Sequence, residues 1–353
     1  MSRRILTTFD VVYKVERFTT VVRSFPDHDP QSKVYMKGTW TPADILPLDG
    51  KRILVTGANS GIGYHTALVL AQKGAHVILA CRDQRRGESA LARLKTNAPG
   101  ASAELATLDL ASLGSIREFA RRELAEERPL HMLINNAGVM APPKRLETTD
   151  GFEIQFGTNV LGHFALTGLL MPQLERAAVS ERSRVVTVAS IAHKRGRLNF
   201  NDLQSTRRYS PMQSYQQSKL ADLMFALELG RRLRATGSRV MSVAVHPGVA
   251  NTNLFRAGER SALDSALRAV ASQLIGALLN SDAAGALPTL YAATSLNVTD
   301  GGYYGPTGWM EMRGDRVGVA AIAPQAQDME SARRLWEVCE TLTGVRFPFR
   351  VSD

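Results

Sequence analysis

A tyrosine and a lysine stand four residues apart in the stretch YQQSK, which runs from Tyr215 to Lys219. In a helix, residues i and i+4 share a face, so the phenol and the ammonium would lie one above the other. A phenol ordinarily has a pKa of about 10, and a nearby positive charge favours the phenolate. Two interpretations are open: a structural contact at the surface, or a phenol tuned for proton transfer near neutral pH.

A glycine-rich stretch, TGANSGIG from Thr56 to Gly63, indicates a second kind of chemistry. It follows a predicted strand and opens a predicted helix, which is the context in which such motifs bind phosphate. Glycines allow a tight turn and a close approach of the backbone to a pyrophosphate, and the helix N-terminus presents free N–H groups. The alternative is an ordinary turn between a strand and a helix.

The second predicted strand ends at ACRD, which bears on the choice of dinucleotide. A site that selects NAD usually has an acidic residue about 20 residues after the glycine loop, where it holds the ribose 2′-hydroxyl. Here Cys81 is followed by Arg82, and a guanidinium suits a 2′-phosphate. The sequence therefore favours NADP(H) over NAD(H). Asp83 argues weakly against this, and Arg82 could also be an ordinary solvated residue.

Apolar strand-like runs alternate with helical patterns from residue 51 onward. The predicted strands are RILVTG, HVILACR, AELATLDL, HMLINNAG, SRVVTVAS and RVMSVAVHPG. This alternation predicts an α/β fold: a single Rossmann-type, doubly wound parallel sheet with helices on both faces. Ligands of such a sheet bind beyond the carboxyl ends of the strands. We therefore expect TGANSGIG, NNAG, Ser190 and HPG to meet at one edge.

Composition limits the classes of protein to which the chain can belong. It has 353 residues, 44% hydrophobic and 22% charged, which allows one large domain with extensions or two domains. The only two cysteines, Cys81 and Cys339, form no disulfide framework or zinc spacing and indicate a reducing compartment. We predict a cytoplasmic protein, and the spacing of acidic residues predicts no bound metal.

The net charge of +10 is compatible with nucleic acid or an anionic membrane as a partner. No zinc-finger spacing or aromatic RNA-binding signature occurs, so we predict no nucleic-acid partner and favour a phosphorylated ligand. No apolar run is long and unbroken enough to predict a transmembrane span. Within 193–208 several basic residues could face an anionic substrate, but a solvated loop is the favoured interpretation.

The chain is predicted to have three parts. Residues 1–40 form an N-terminal extension, and Met36 could be the true start of the protein. Residues 41–310 form the NADP(H)-binding Rossmann catalytic domain. Residues 311–353 form a C-terminal tail.

Several motifs occur together in a fixed order, and through them the chain resembles the short-chain dehydrogenase/reductase superfamily over roughly 48–308. They are TGANSGIG, LDLAS from Leu108, NNAG from Asn135, TNVLGHF with Asn159, VAS ending at Ser190, YQQSK, and HPG from His246. The stretches IAHKRGRLNFNDLQ and SKLADLMFALEL are most similar to the retinol dehydrogenase and protochlorophyllide reductase-like group. Asp222 stands where that group often has Asn, and we expect this difference to matter little.

The resemblance implies a role for each of four residues. Tyr215 is the general acid in reduction and the general base in oxidation. Lys219 favours the ionised phenol and binds the nicotinamide ribose. Ser190 hydrogen-bonds the substrate oxygen, and Asn159 positions a water that links Lys219 to bulk solvent. This favours the catalytic interpretation of the YQQSK pair over the structural one.

The predicted cofactor-binding residues combine the glycine loop and Arg82 with positions implied by the resemblance. They are Gly57, Asn59, Ser60, Gly61, Ile62, Gly63, Arg82, Asp109, Leu110, Asn136, Ala137, Gly138, Tyr215, Lys219, Pro247, Gly248, Val249 and Thr252. By resemblance Asp109 and Leu110 contact the adenine. His193 and His246 are more readily explained as loop or packing residues than as catalytic ones.

These observations predict an NADP(H)-dependent oxidoreductase that transfers a hydride between the nicotinamide and a carbonyl or alcohol. By resemblance, residues 254–280 form a substrate lid, whose apolar sequence suggests a lipophilic small-molecule substrate but equally fits a core helix. The main alternative is a non-catalytic NADP(H)-binding redox sensor or scaffold. A peripheral membrane protein is a further alternative. The resemblance implies a homo-oligomer assembled through the YQQSK helix.

Overall fold

This computed structural model describes residues 39–249 and 280–349. Their strands form one eight-stranded sheet in the order β3-β2-β1-β4-β5-β6-β7-β8. All neighbours from β3 to β7 pair in parallel, and β8 runs antiparallel to β7. The strands are β1 Arg52–Thr56, β2 His76–Cys81, β3 Ala103–Thr107, β4 Met132–Asn135, β5 Arg184–Val188, β6 Met241–Val245, β7 Tyr303–Pro306 and β8 Val317–Val319.

Helices connect the parallel strands and pack on the sheet, which confirms the predicted Rossmann-type α/β fold. Helices α1 and α6 pack against each other, as do α3 and α4, while α5 packs on α7. The helices are α1 Gly61–Gln72, α2 Gln84–Asn97, α3 Leu113–Ala125, α4 His163–Ala178, α5 Pro211–Ala235, α6 Asp282–Thr294 and α7 Met329–Thr343. None of them is long and apolar enough to cross a membrane.

The central strands are buried along their whole length, which explains their largely apolar sequences. Every residue of β1, β4, β5 and β6 is buried. A parallel sheet covered by helices on both faces needs such runs, because neither face meets water. Strand order reverses between β1 and β4, so the edge beyond Thr56 and Asn135 is the point at which such sheets bind ligands.

The end of the described chain belongs to the same core. Trp336 of α7 is 2% exposed and contacts Phe164 of α4, with ring centroids 5.0 Å apart, and Phe225 of α5, at 5.9 Å. Phe347 lies 4.6 Å from Trp336 and completes the cluster. These rings fix α7 across α4 and α5. The three-part division of the chain stays a prediction, and residues 1–38 lie outside the described residues.

Candidate active site

The glycine loop forms the turn between β1 and α1. Gly57 and Gly61 have φ angles of +66° and +59°, in the left-handed region where a side chain is strained. Ser60 precedes α1, and its side chain makes no capping hydrogen bond. The first N–H groups of α1 are therefore not satisfied by a cap and remain available to an anionic ligand.

Close packing fixes the loop against β4. Asn136 donates from Nδ2 to the Thr56 carbonyl at 2.8 Å, and the backbone N–H groups of Asn136 and Ala137 donate to Thr56 Oγ1 at 2.9 and 3.0 Å. A Cβ atom on Gly63 would lie 2.4 Å from Asn136 Nδ2 and 2.6 Å from the Gly57 oxygen. The third glycine, Gly63, is therefore required because any side chain would clash with its neighbours, and not because of its backbone dihedral angles.

Gly63→Ala is expected to lower the free energy of unfolding by about 1–3 kcal/mol, the range for overpacking. Because relief of the clash must move the glycine loop, binding of a nicotinamide dinucleotide should weaken at least tenfold, to be measured by fluorescence titration. Gly114→Ala is the matched control, since the nearest atom to its new Cβ would be 3.7 Å away. Equal effects of the two substitutions on binding would contradict this account.

Two arginines line the cavity next to the end of β2. They are Arg82 and Arg86, and the second was not identified from the sequence. The acidic residue between them, Asp83, does not line the cavity. It caps α2, since its Oδ1 accepts a hydrogen bond from the Arg86 backbone N–H at 3.0 Å. The available signal was the arginine-rich stretch RDQRR, but the sequence alone does not show which of its arginines line the cavity.

Ser190 follows β5 and caps the short helix Ile191–Arg195. Its Oγ accepts a hydrogen bond from the Ala192 N–H at 3.1 Å, and its side chain is half-buried. Since the hydroxyl oxygen is the acceptor in this bond, its proton remains available to donate to a ligand oxygen. The cap thus fixes the position of the hydroxyl without using its donor.

Tyr215 and Lys219 lie in the first turns of α5, as the YQQSK spacing predicted. Tyr215 is half-exposed, whereas Lys219 is only 5% exposed. Lys219 Nζ donates to the Val188 carbonyl at 2.9 Å and to Asp222 Oδ2 at 2.9 Å. Burial acts to lower the pKa of Lys219, but Asp222 and Tyr215 outweigh it, so the pKa lies above its ordinary value.

Asn159 lies in a π-helical segment, Phe156–Gly162, and is fully buried. Its Oδ1 accepts from the Val139 N–H at 2.8 Å, and its Nδ2 donates to the Val139 carbonyl and to Ser218 Oγ, both at 3.0 Å. The amide therefore ties the loop after β4 to α5. Its predicted role in positioning a water stays a prediction.

The two histidines singled out in the sequence are buried. His193 Nδ1 lies 2.7 Å from the Ser190 carbonyl oxygen, and His246 Nδ1 accepts from the Gly248 N–H at 3.2 Å. Burial lowers the pKa of both rings, so both are neutral at physiological pH. The His246 ring and the Lys194 ammonium both contact the carboxylate of Glu311, and these contacts lower the pKa of Glu311 to about 2. The rings thus hold the loops that follow β5 and β6.

A single cavity of about 780 Å³ brings most of the predicted site together. It is lined by every predicted residue except Asn159, which is buried behind it, and Thr252, which lies outside the described residues. The lining residues that sequence reasoning did not include in the site are Thr56, Ala80, Arg86, Leu108, Val139, Pro142, Leu146, Glu147, Ile154, Thr158, Val188, Ala189 and Ile191. Most of these are apolar, and apolar loop residues carry no local signal of a site.

The cavity has the features that a dinucleotide requires. Uncapped helix N–H groups and a crowded glycine turn suit the pyrophosphate, and Arg82 and Arg86 supply positive charge at the same end. Ser190, Tyr215 and Lys219 line the same space. Among the described residues, no cluster of histidine, cysteine and acidic side chains could hold a metal ion.

Comparison with known proteins gives consistent results. The family model for short chain dehydrogenases matches residues 51–262. The chain is 41% identical to retinol dehydrogenase 12 of Homo sapiens over 306 residues, which cover 86% of this chain and 89% of that protein. It is also 41% identical to retinol dehydrogenase 13 of Homo sapiens, with 90% of this chain and 91% of that protein covered.

A solved structure shares both sequence and fold. A protein of Mycobacterium paratuberculosis is 39% identical, with a TM-score of 0.71, and the match covers 88% of this chain and all of that one.

Proposed function

Because the chain belongs to the short-chain dehydrogenase family and is therefore a dehydrogenase or reductase of alcohol and carbonyl groups, we propose that it uses NADP(H) and acts on a lipophilic small molecule. The observation that carries the proposal is the one cavity lined by the glycine loop, Arg82, Ser190 and Tyr215. The loop and the arginine would hold the dinucleotide, while the serine and the tyrosine would act on the substrate.

When bound, the nicotinamide cofactor supplies or accepts the hydride. Tyr215 gives a proton to the carbonyl oxygen during reduction and takes it back during oxidation. Ser190 donates its free hydroxyl proton to the same oxygen and so stabilises the negative charge that develops there. Lys219 is held by Val188 and Asp222, so its ammonium stays on the same face of α5 as the Tyr215 phenol.

The preference for NADP(H) rests on the charges beside β2. Arg82 and Arg86 line the cavity, whereas the nearby acid, Asp83, does not. The Asp83 carboxylate caps α2 and lies 3.7 Å from Arg86 Nε. A site for NAD would place a carboxylate against the ribose 2′-hydroxyl, whereas two guanidinium groups suit a 2′-phosphate.

Arg82→Ala is expected to raise the Kd for NADPH about 10- to 100-fold, the effect of losing one charge-assisted hydrogen bond worth roughly 1.5–3 kcal/mol. The Kd for NADH should change little, because that dinucleotide has no 2′-phosphate. Arg85→Ala is the control: Arg85 is exposed on α2 and does not line the cavity. Fluorescence titration with both dinucleotides measures the effect, and a parallel loss of NADH binding would argue against the assignment.

The end of the cavity beyond NNAG supports a lipophilic substrate. Its lining there includes Met140, Pro142, Leu146 and Ile154, whose side chains offer little hydrogen bonding. Apolar pockets with a few polar groups bind ligands of the same character. Two of the relatives are named retinol dehydrogenases, and retinol is an apolar alcohol.

A substrate panel tests the proposal. NADPH and NADH oxidation are measured with retinal and with aldehydes and ketones of increasing chain length. We expect turnover with NADPH that rises with the apolar surface of the carbonyl compound. Preference for NADH would overturn the cofactor assignment, and preference for short polar carbonyls would overturn the substrate class. Tight NADPH binding without turnover of any carbonyl would instead favour a redox sensor or scaffold.

A further inference from the structure

Lys219 has a charged partner that the proposed reaction does not use directly. Asp222 lies three positions further along α5, and its Oδ2 accepts a hydrogen bond from Lys219 Nζ at 2.9 Å. The two side chains are 6% and 2% exposed. The pair therefore lies in the interior, where charges act on one another more strongly than at a surface screened by water.

The titratable groups around this pair come from three helices. Tyr215 lies one turn before Lys219 on α5. His163, at the start of α4, is neutral, because burial lowers its pKa to about 3. Cys339 of α7 interacts with Asp222 and stays a thiol, because burial raises its pKa. Of these groups, Lys219 is the one that carries a charge opposite to that of Asp222 near neutral pH.

A carboxylate next to an ammonium offsets part of the positive charge that the ammonium presents to other groups. Tyr215 is such a group, since it interacts electrostatically with Lys219. Asp222 follows Tyr215 by seven residues, two helical turns, so both lie on one face about 10 Å apart along the axis. Burial raises the pKa of Asp222 to about 6 against the opposing effect of Lys219, so its charge can change in the folded protein.

We propose that Asp222 is a positioning residue for proton transfer, which fixes the Lys219 ammonium by their hydrogen bond and offsets its charge, and thereby sets the pH range in which Tyr215 ionises. This inference rests on the proposed function, in which Tyr215 exchanges a proton with the substrate oxygen. Alcohol oxidation needs the phenolate and so rises with pH, whereas carbonyl reduction needs the phenol and falls over the same range.

Asp222→Asn tests the charge separately from the position. The Asn oxygen can still accept a hydrogen bond from Lys219, but the negative charge is gone. The positive charge of Lys219 then acts on Tyr215 with no neighbouring carboxylate to offset it. The ionisation that governs alcohol oxidation at saturating NADP⁺ should move to lower pH by about one unit, the effect of a charge at about 10 Å in an effective dielectric of about 20. An unchanged ionisation, or a shift to higher pH, would overturn the proposal.

Glu228→Gln is the matched control. Glu228 is also a buried carboxylate on α5, but it pairs with Arg231 and Arg232 and does not line the cavity. Its replacement should leave the pH profile in place, whereas a general loosening of α5 would alter both variants alike. If Asp222→Asn fails to fold, Asp222→Ser removes the same charge and carries the same expectation.

A second readout does not depend on turnover. Tyrosinate absorbance is titrated in the full-length protein and in Asp222→Asn, each with and without Tyr215→Phe, so that the difference isolates Tyr215. We expect the Tyr215 signal to appear at lower pH in Asp222→Asn. If no carbonyl is turned over by the unmodified protein, the proposed function fails, yet this titration still decides the role of Asp222.

Discussion

Tyr215→Phe is expected to lower kcat for carbonyl reduction by about 10²- to 10⁴-fold, the usual contribution of a positioned general acid. The substitution removes the hydroxyl and keeps the ring. Lys219 keeps its bonds to Val188 and Asp222, so α5 should remain in place. The Kd for NADPH should change by no more than a few-fold. Single-turnover kinetics with excess enzyme measure the chemical step directly.

Tyr209→Phe is the control for this prediction. Tyr209 lies shortly before α5 and donates from its hydroxyl to the Pro142 carbonyl at 2.7 Å, but it does not line the cavity. Its loss should affect turnover far less than the loss of the Tyr215 hydroxyl. If Tyr215→Phe retained full turnover, another group would have to supply the proton, and the assignment of Tyr215 would be wrong.

Ser190→Ala should produce the second large effect, a fall in kcat of about 10²- to 10³-fold, typical of removing one donor to a developing oxyanion. The same hydroxyl caps the helix Ile191–Arg195 by accepting from the Ala192 N–H. We therefore also expect the free energy of unfolding to fall by about 1 kcal/mol. Both quantities come from one preparation, by steady-state kinetics at saturating NADPH and by denaturant unfolding.

Ser112→Ala separates the two effects of Ser190→Ala. Ser112 caps α3 by accepting from the Ser115 N–H at 3.2 Å and does not line the cavity. It should cost a similar free energy of unfolding and leave kcat nearly unchanged. A loss of turnover in Ser112→Ala as large as that in Ser190→Ala would mean that stability, rather than the hydroxyl of Ser190, controls activity.

The sequence was sufficient for the features whose cause is local. The strands β1, β2, β4, β5 and β6 could be predicted because each is a mostly apolar run, as a doubly covered parallel sheet requires. Strand β3, AELAT, contains Glu104 and is only partly buried, so its prediction rested on the alternation of strands and helices. The glycine loop could be located because its glycines stand between a strand and a helix. The YQQSK spacing placed Tyr215 and Lys219 on one helix face, and the structure brings them to one cavity with Ser190.

Features that depend on packing between distant segments were not predictable in this way. The strands β7 and β8, YYGP and VGV, are too short and too rich in glycine for a period to be seen. Helix α7 carries a clear apolar face, but only contact with α4 and α5 shows what that face covers. The buried bond between Asp222 and Lys219 could not be foreseen either, because the sequence does not show which residues exclude water from it.

The aromatic cluster between α7, α4 and α5 also bears on how the protein is made. Ribosomes complete α5 well before α7, so the surface around Phe164 and Phe225 has no Trp336 to cover it until α7 has been made. Exposed aromatic surface of this kind is what chaperones bind and what drives aggregation of nascent chains. An mRNA with a premature stop codon before α7 would therefore still encode Tyr215 and Lys219. We expect its product to be bound by chaperones or to aggregate rather than to fold into an active protein.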